Sequence, residues 1–242
     1  MLRDALKRTL WATTNDDLRP VMCGVNFVLV DGSLEIVASN GHVMMKTTYP
    51  ISNLEDNRCG SFIMPKKVAN ILASIAEEGD YLTIEWNDRE AHINLLGCDI
   101  DFRLIEGKYP NYNGIIPQEF AHETACQRNI LMSALRAVAP FAPDSSQMLV
   151  LTFDGYTLNV QGNDYDFGEG AAKTISTEGY EGESLNIGVK SSNIIGMLSK
   201  LSTSDVLLRL NDPSRAIIIE PVDHGDSDAE ITGLLMPMLV NE

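Results

Sequence analysis

Two acid pairs are the first residues whose types and spacing could do chemistry. Asp99 with Asp101, and Asp223 with Asp226, could serve as general acid and base or hold a divalent cation, since hard cations take carboxylate oxygens. Asp99 and Asp101 are two apart in an alternating strand, however, and residues 223 to 228, DHGDSD, read as a solvated Gly/Ser/Asp-rich turn. The chain carries no Walker loop, GxSxG elbow, HExxH or Cys/His pairing. Cys23, Cys59, Cys98 and Cys126 are widely spaced, which suits free thiols in a reducing compartment, and His42, His92, His122 and His224 are equally scattered. The expectation is a protein that is not an enzyme and uses neither metal nor cofactor.

Methionines and cations offer binding chemistry instead. Met236 and Met238 lie in LLMPMLV (234 to 240). Such a strand end either packs on the core or, because Met is flexible and polarizable, forms a groove that repacks around varied peptides. The chain holds 18 Lys and Arg against 34 Asp and Glu, a net charge of −16, which argues against ordinary phosphate neutralisation over the whole surface. Half of the cations nevertheless fall in four segments with helical spacing: Arg3, Lys7 and Arg8; Lys66 and Lys67; Arg128 and Arg136; Lys190 and Lys200. Arg3 and Lys7 are four apart and Arg128 and Arg136 eight apart, so each pair shares a helix face. Acids there are few: Asp4, Glu77 and Glu78. One basic surface on an acidic body could retain DNA weakly if it lined a hole, with contacts screened over about 8 Å.

These residues need elements to hold them. Helices are predicted near 1 to 13, 66 to 77, 127 to 138 and 190 to 201, with Leu131, Leu135, Ile194, Ile195 and Leu198 turned to a sheet. Antiparallel strands are predicted at 81 to 86, 90 to 96, 100 to 105, 147 to 153, 157 to 161, 206 to 210, 215 to 220 and 230 to 236. The pattern repeats. FIMPKKVANILASIAEEGDYLTIEWND (62 to 88) aligns with NIGVKSSNIIGMLSKLSTSDVLLRLND (186 to 212), and FVLVDGSLEIVASN (27 to 40) with VLTFDGYTLNVQGN (150 to 163). Asp31-Gly32 and Asp154-Gly155 each fall between alternating runs, the signal of a hairpin with a type I′ turn. The 242 residues therefore divide into two α+β domains, 1–120 and 121–242, with the boundary in PQEFAHETA (117 to 125). No run of about 18 apolar residues is present, and MLRDALKRTL lacks the apolar block of a signal peptide. A cytoplasmic location is expected.

Several runs resemble the DNA polymerase III beta subunit, the bacterial sliding clamp. DDLRPVMCGVNFVLVDGSLEIVASNGHVMM (16 to 45) is similar to that family's second domain, with its Arg-Pro-x-x-x-Gly approach leading through a hairpin to a Thr/Ser-Asp/Asn-Gly-His turn. IEGKYPNYNGIIP (105 to 117) resembles the Gly-x-Phe/Tyr-Pro-x-Tyr run closing that domain, and LLMPMLV the terminal Met-Pro-Met segment. The resemblance spans essentially the whole chain and corresponds to domains two and three of a three-domain subunit. It implies tandem clamp-fold domains, with antiparallel sheets outside and two helices per domain lining a ring around duplex DNA.

The implied partners are duplex DNA, read without regard to sequence, and short linear peptides of polymerases, the clamp loader and repair proteins. The peptide pocket implied by the resemblance comprises Met22, Ser39, Gly41, His42, Val43, Met44, Pro110, Tyr112, Gly114, Ile115, Ser146, Lys190, Asn193, Leu234, Met236, Pro237, Met238 and Leu239. DNA-facing cations would be Arg3, Lys7, Arg8, Arg19, Lys66, Lys67, Arg128, Arg136 and Lys200. Val43 stands where the family commonly has a basic residue, Gly114 where Arg is frequent, and Asn193 and Ser146 at positions aromatic in some members. Asn241 and Glu242 extend past the usual end. The chain opens in a helix, without the strand that normally begins a domain. It is therefore expected to be part of a three-domain chain closing as a homodimer, or a two-domain subunit closing as a trimer. A clamp-like peptide-binding adaptor without DNA encirclement is the alternative.

Overall fold

The hairpin expected at Asp31-Gly32 pairs β1 (Gly24–Val30) with β2 (Ser33–Ser39), Val30 facing Ser33. In the computed structural model, which describes residues 2–30, 32–51, 59–77, 82–164, 167–223 and 229–240, Gly32 has φ 75°. Asp31, Glu78, His224, Asp226, Asp228, Asn241 and Glu242 lie outside the described residues. The matching turn of the second repeat differs from expectation. Thr157 pairs with Asp154, so the loop is Gly155-Tyr156, and of these only Gly155 has positive φ, at 54°. Type I′ needs positive φ at both loop positions, so this turn is not type I′.

The chain divides into two units: the first runs to Asn111 and takes in a short stretch ending at Ile231, and the second holds Tyr112–Gly225 and the run from Thr232, so the main boundary falls ahead of the 117–125 run. In the first, α1 (Leu2–Thr9) precedes β1, β2, β3 (Val43–Pro50), β4 (Gly60–Pro65), α2 (Lys66–Ile75), β5 (Leu82–Trp86), β6 (Glu90–Leu95) and β7 (Cys98–Arg103). One antiparallel sheet runs β4-β1-β2-β3 and another β5-β6-β7. The second unit contains β8 (His122–Gln127), α3 (Arg128–Val138), β9 (Met148–Asp154), β10 (Thr157–Asp164), β11 (Glu169–Ser176), β12 (Leu185–Lys190), α4 (Ser191–Leu198), β13 (Asp205–Leu210), β14 (Ile217–Pro221) and, from Thr232 on, β15 (Glu230–Leu235). Its sheets are β12-β9-β10-β11 and β15-β14-β13-β8. Strand for strand, β4-β1-β2-β3 repeats as β12-β9-β10-β11 and β5-β6-β7 as β13-β14-β15. The duplication read from the aligned segments is therefore a duplication of fold.

Differences from the expected elements are local. The helix expected to reach residue 13 ends at Thr9 and continues as a tight 3₁₀ turn, Leu10–Ala12. The run 117–125, read as linker, already contains β8 from His122, paired with β13. β11, EGAAKTIS, has no clear alternation because most of its side chains are exposed, so periodicity could not mark it.

The helices cover one sheet in each unit. α1 and α2 pack on each other, α1 against β2 and β3 and α2 against β1 and β4; α3 packs on α4, β10 and β11, and α4 on β12. Leu131, Leu135, Ile194 and Leu198 are fully buried as expected, whereas Ile195 is half-exposed and Met197 is buried. In the first unit Phe27 stacks on Phe62 with centroids 5.0 Å apart, and Phe62 meets Trp86 at 5.1 Å, joining the larger sheet to β5. Because Leu131 has no exposed surface, Leu131→Ala should destabilise the second unit by about 3 kcal/mol through lost burial and a residual cavity, read as a lower denaturation midpoint.

Candidate functional site

In the first unit the turn from β2 to β3 is built by its own side chains. Asn40 Oδ1 accepts the backbone N–H groups of His42 (2.9 Å) and Val43 (3.0 Å). The Ser39 hydroxyl accepts from Gly41 N (3.1 Å) and donates to Val43 O (2.9 Å). Gly41 has φ 90°, a conformation that favours glycine. Ser39 N donates to the Tyr109 hydroxyl at 2.8 Å, tying the run before Pro110 to this turn; burial pushes the Tyr109 phenol up to about 12. Gly41 and His42 are exposed and Met22 is half-buried, while Ser39, Val43 and Met44 are buried. The structure thus gathers Ser39, Gly41, His42, Val43 and Met44 on one turn and its strand ends.

The second unit gathers a separate set. The C-terminal run after β15 lies along β12, with Met238 N donating to Gly188 O at 2.8 Å. A Cβ on Gly188 would fall 2.6 Å from Met238 O, 3.0 Å from Val240 Cγ2 and 3.2 Å from Met148 Sδ. Absence of a side chain at 188 is what lets the two backbones meet. Met236 and Leu239 are exposed, Pro237 and Met238 half-exposed, and Leu234 is buried in β15.

Beside this run, Gln147 takes a positive φ of 53°. Its carbonyl accepts Ser191 N (2.8 Å), and its side-chain oxygen accepts the Ser192 hydroxyl (3.1 Å). The loop carrying Ser146 is thereby fixed to the start of α4, whose next residue is Asn193; Lys190 is exposed at the end of β12. Neither Gly188 nor Gln147 stood out in the sequence, because their importance depends on residues 50 and 44 positions away. Tyr112 is buried, and Gly114 and Ile115 are exposed in a short 3₁₀ turn.

The cations separate by what their donors already hold. Lys7, Lys67 and Arg136 are exposed on α1, α2 and α3, and Arg3 and Lys200 are half-exposed. Arg8 donates to the Tyr49 hydroxyl (2.9 Å) and Lys66 to Asn15 Oδ1 (3.0 Å). Arg128 donates through Nε to Thr203 O (2.8 Å) and through a terminal nitrogen to Leu198 O (3.2 Å), capping the end of α4. Arg19 lies outside the helices, in the loop before a 3₁₀ turn at Pro20–Cys23, paired with Asp16.

The acid pair on β7 is committed to an imidazole. His92 on β6 has Nδ1 2.8 Å from Asp101 and Nε2 3.4 Å from Asp99, and Asn94 donates to Asp99 at 2.6 Å. The hydrogen bond to Asp101 raises the His92 pKa, with the charges of Asp101, Asp99 and Glu85 adding to it and desolvation opposing it. No group of three or more His, Cys, Asp or Glu among the described residues could hold a metal ion.

Two copies of a unit with two antiparallel sheets and a helix pair define a protein of tandem clamp-type domains. The profile for the DNA polymerase III beta subunit central domain matches residues 1–111, and that for its C-terminal domain matches residues 113–239. The chain belongs to the DNA polymerase III beta subunit family. It is 26% identical to the beta sliding clamp of Halalkalibacterium halodurans over 231 residues, covering 94% of this chain and 60% of that protein. It is 27% identical to that of Borreliella burgdorferi over 239 residues, again covering 60% of the relative. Among solved structures, the Pseudomonas aeruginosa DNA polymerase sliding clamp superposes with a TM-score of 0.91 at 22% identity, covering 99% of this chain and 64% of that one. A second structure of that clamp, bound to griselimycin, has the same TM-score. The chain spans about 60% of the length of these curated relatives.

Two outcomes follow from this geometry. Gly188→Ala should release the C-terminal run, seen as faster amide exchange at Met238 with β9 and β10 amides unchanged. His92 should titrate above its ordinary value of about 6.5, and Asp101→Asn should lower its midpoint in an NMR titration. Since the folded value is raised, whatever this exposed pairing adds to stability is complete below the ordinary value and fades as pH rises through the raised one.

Proposed function

We propose that this chain forms the peptide-binding and part of the DNA-encircling portion of a sliding clamp, a processivity factor without catalytic activity that works in the cytoplasm. The observation that carries the reading is the duplicated unit whose helix pairs present Lys7, Lys67 and Arg136 on a protein of net charge −16. Such a distribution suits retention by topology, where weak phosphate contacts allow sliding. Residues 2–223 and 229–240, where described, contain no helix long and apolar enough to cross a membrane.

In the first unit the turn at Ser39–Met44 offers a surface for short linear peptides from polymerase, clamp loader and repair proteins, and in the second the run at Met236–Leu239 offers exposed Met236 and Leu239 as adaptable apolar contacts of the same kind. The full chain closes on duplex DNA by self-association, as a dimer if it has three such domains and as a trimer if it has two. The test is retention of the full natural chain on circular and linear DNA with a clamp loader present. Retention on the circle and loss from free ends supports the reading; equal behaviour on both would indicate an adaptor with no DNA role.

A further inference from the structure

We propose that Arg19 is a positioning residue for the peptide-binding turn Ser39–Met44 and not a phosphate contact, an inference that rests on the peptide-pocket reading above. The loop that carries Arg19 is closed on itself. Asp16 N donates to Thr14 Oγ1 (3.1 Å), Asp16 Oδ1 accepts Leu18 N (3.0 Å) and Asp16 O accepts Arg19 N (2.9 Å). The Arg19 Nε donates to Asp16 Oδ2 at 2.9 Å, which fixes one edge of the guanidinium. Its NH1 then donates to Asn40 O at 3.0 Å, 21 residues along the chain.

Asn40 is the residue whose side chain organises the turn through His42 N and Val43 N. The guanidinium therefore holds by its carbonyl the same residue that holds His42 and Val43 by its amide. Gly41 makes room for this contact, since a Cβ there would come 3.1 Å from Arg19 NH1. The same loop anchors Met22, whose N–H donates to Arg19 O (2.9 Å) and whose carbonyl accepts Thr14 N (3.0 Å). One side chain thus ties together two segments of the first unit that carry expected pocket residues, Met22 and Ser39–Met44. Only a planar fork supplies two fixed directions, one to a carboxylate and one to a carbonyl; a lysine ammonium has no such geometry. The Asp16 carboxyl is held below its usual range, chiefly by the hydrogen bond from Arg19, in keeping with a formed pair.

The test uses the full chain and griselimycin, the ligand carried by one of the matched clamp structures. Binding is measured by calorimetry for the natural protein, Arg19→Ala, Arg19→Lys, Asp16→Asn and the distant control Arg215→Ala, alongside hydrogen exchange at His42 and Val43. Arg19→Ala should weaken binding by about tenfold and speed exchange at both amides by a similar factor, the scale of one lost charge-assisted hydrogen bond. Exchange at Phe27 and Ile36 should stay unchanged. Arg19→Lys should behave like Arg19→Ala although the charge is kept, and Asp16→Asn should have the same effect at about threefold.

Natural binding with unaltered affinity in Arg19→Lys overturns the inference alone. Weakened binding with unchanged exchange at His42 and Val43 also overturns it, since Arg19 would then touch the ligand itself. Failure of the natural protein to bind griselimycin overturns the pocket reading and this inference with it.

Discussion

Covering one apolar face of a four-stranded sheet is the constraint from which the rest of this molecule follows. Four strands about 4.8 Å apart make a face nearly 20 Å wide, and one helix with its side chains covers about 10 Å. Two helices side by side are the smallest complete cover. Each unit supplies such a pair, α1 with α2 and α3 with α4, and each pair is in mutual contact. Burying Leu131, Leu135, Ile194 and Leu198 on one side leaves an opposite helical face open to solvent, where even Ile71, Ile75 and Ile130 are exposed. On that side evolution could place cations at little cost in stability.

The charge distribution acquires its meaning from this arrangement. Net charge alone pointed away from nucleic acid, yet the exposed positions of the helices carry Lys7, Lys67 and Arg136. Other cations that look equivalent in the sequence serve internal ends. Arg128 completes the carbonyls at the end of α4, and Arg209 links three strands, 3.0 Å from Glu123 on β8 and 3.0 Å from Glu220 on β14. A guanidinium satisfying backbone or carboxylate acceptors has fewer donors left for phosphate. The acid pair at Asp99 and Asp101 follows the same logic, because a histidine on the neighbouring strand takes both carboxylates. What first suggested catalysis is a cross-strand pairing of two carboxylates with an imidazole on an exposed face.

Much of the fold was legible because its signals are local. Apolar residues at helical spacing marked all four helices to within a few residues, and Asp-Gly pairs between alternating runs marked two hairpins. Where the local signal was weak or ambiguous, reading failed. β11 exposes most of its side chains and so lacks alternation. β8 was hidden in a run of polar and small residues whose strand character comes from pairing with β13, more than 75 residues later. The type of the second hairpin turn was misread because strand register, set by packing, put Gly155 rather than Asp154 at the first loop position.

By itself the sequence determined the duplication, the helix and hairpin periods and the residue types available for binding, since these depend on neighbours a few positions apart. Tertiary structure decided which of those residues remain available. Arg19 reaches Asn40, Arg128 reaches Leu198, and Gly188 lies against Met238, each across a separation that no local pattern encodes. Hydrogen bonds and close backbone approaches are chosen by distance in space, and that distance exists only after the sheets have paired and the helices have covered them.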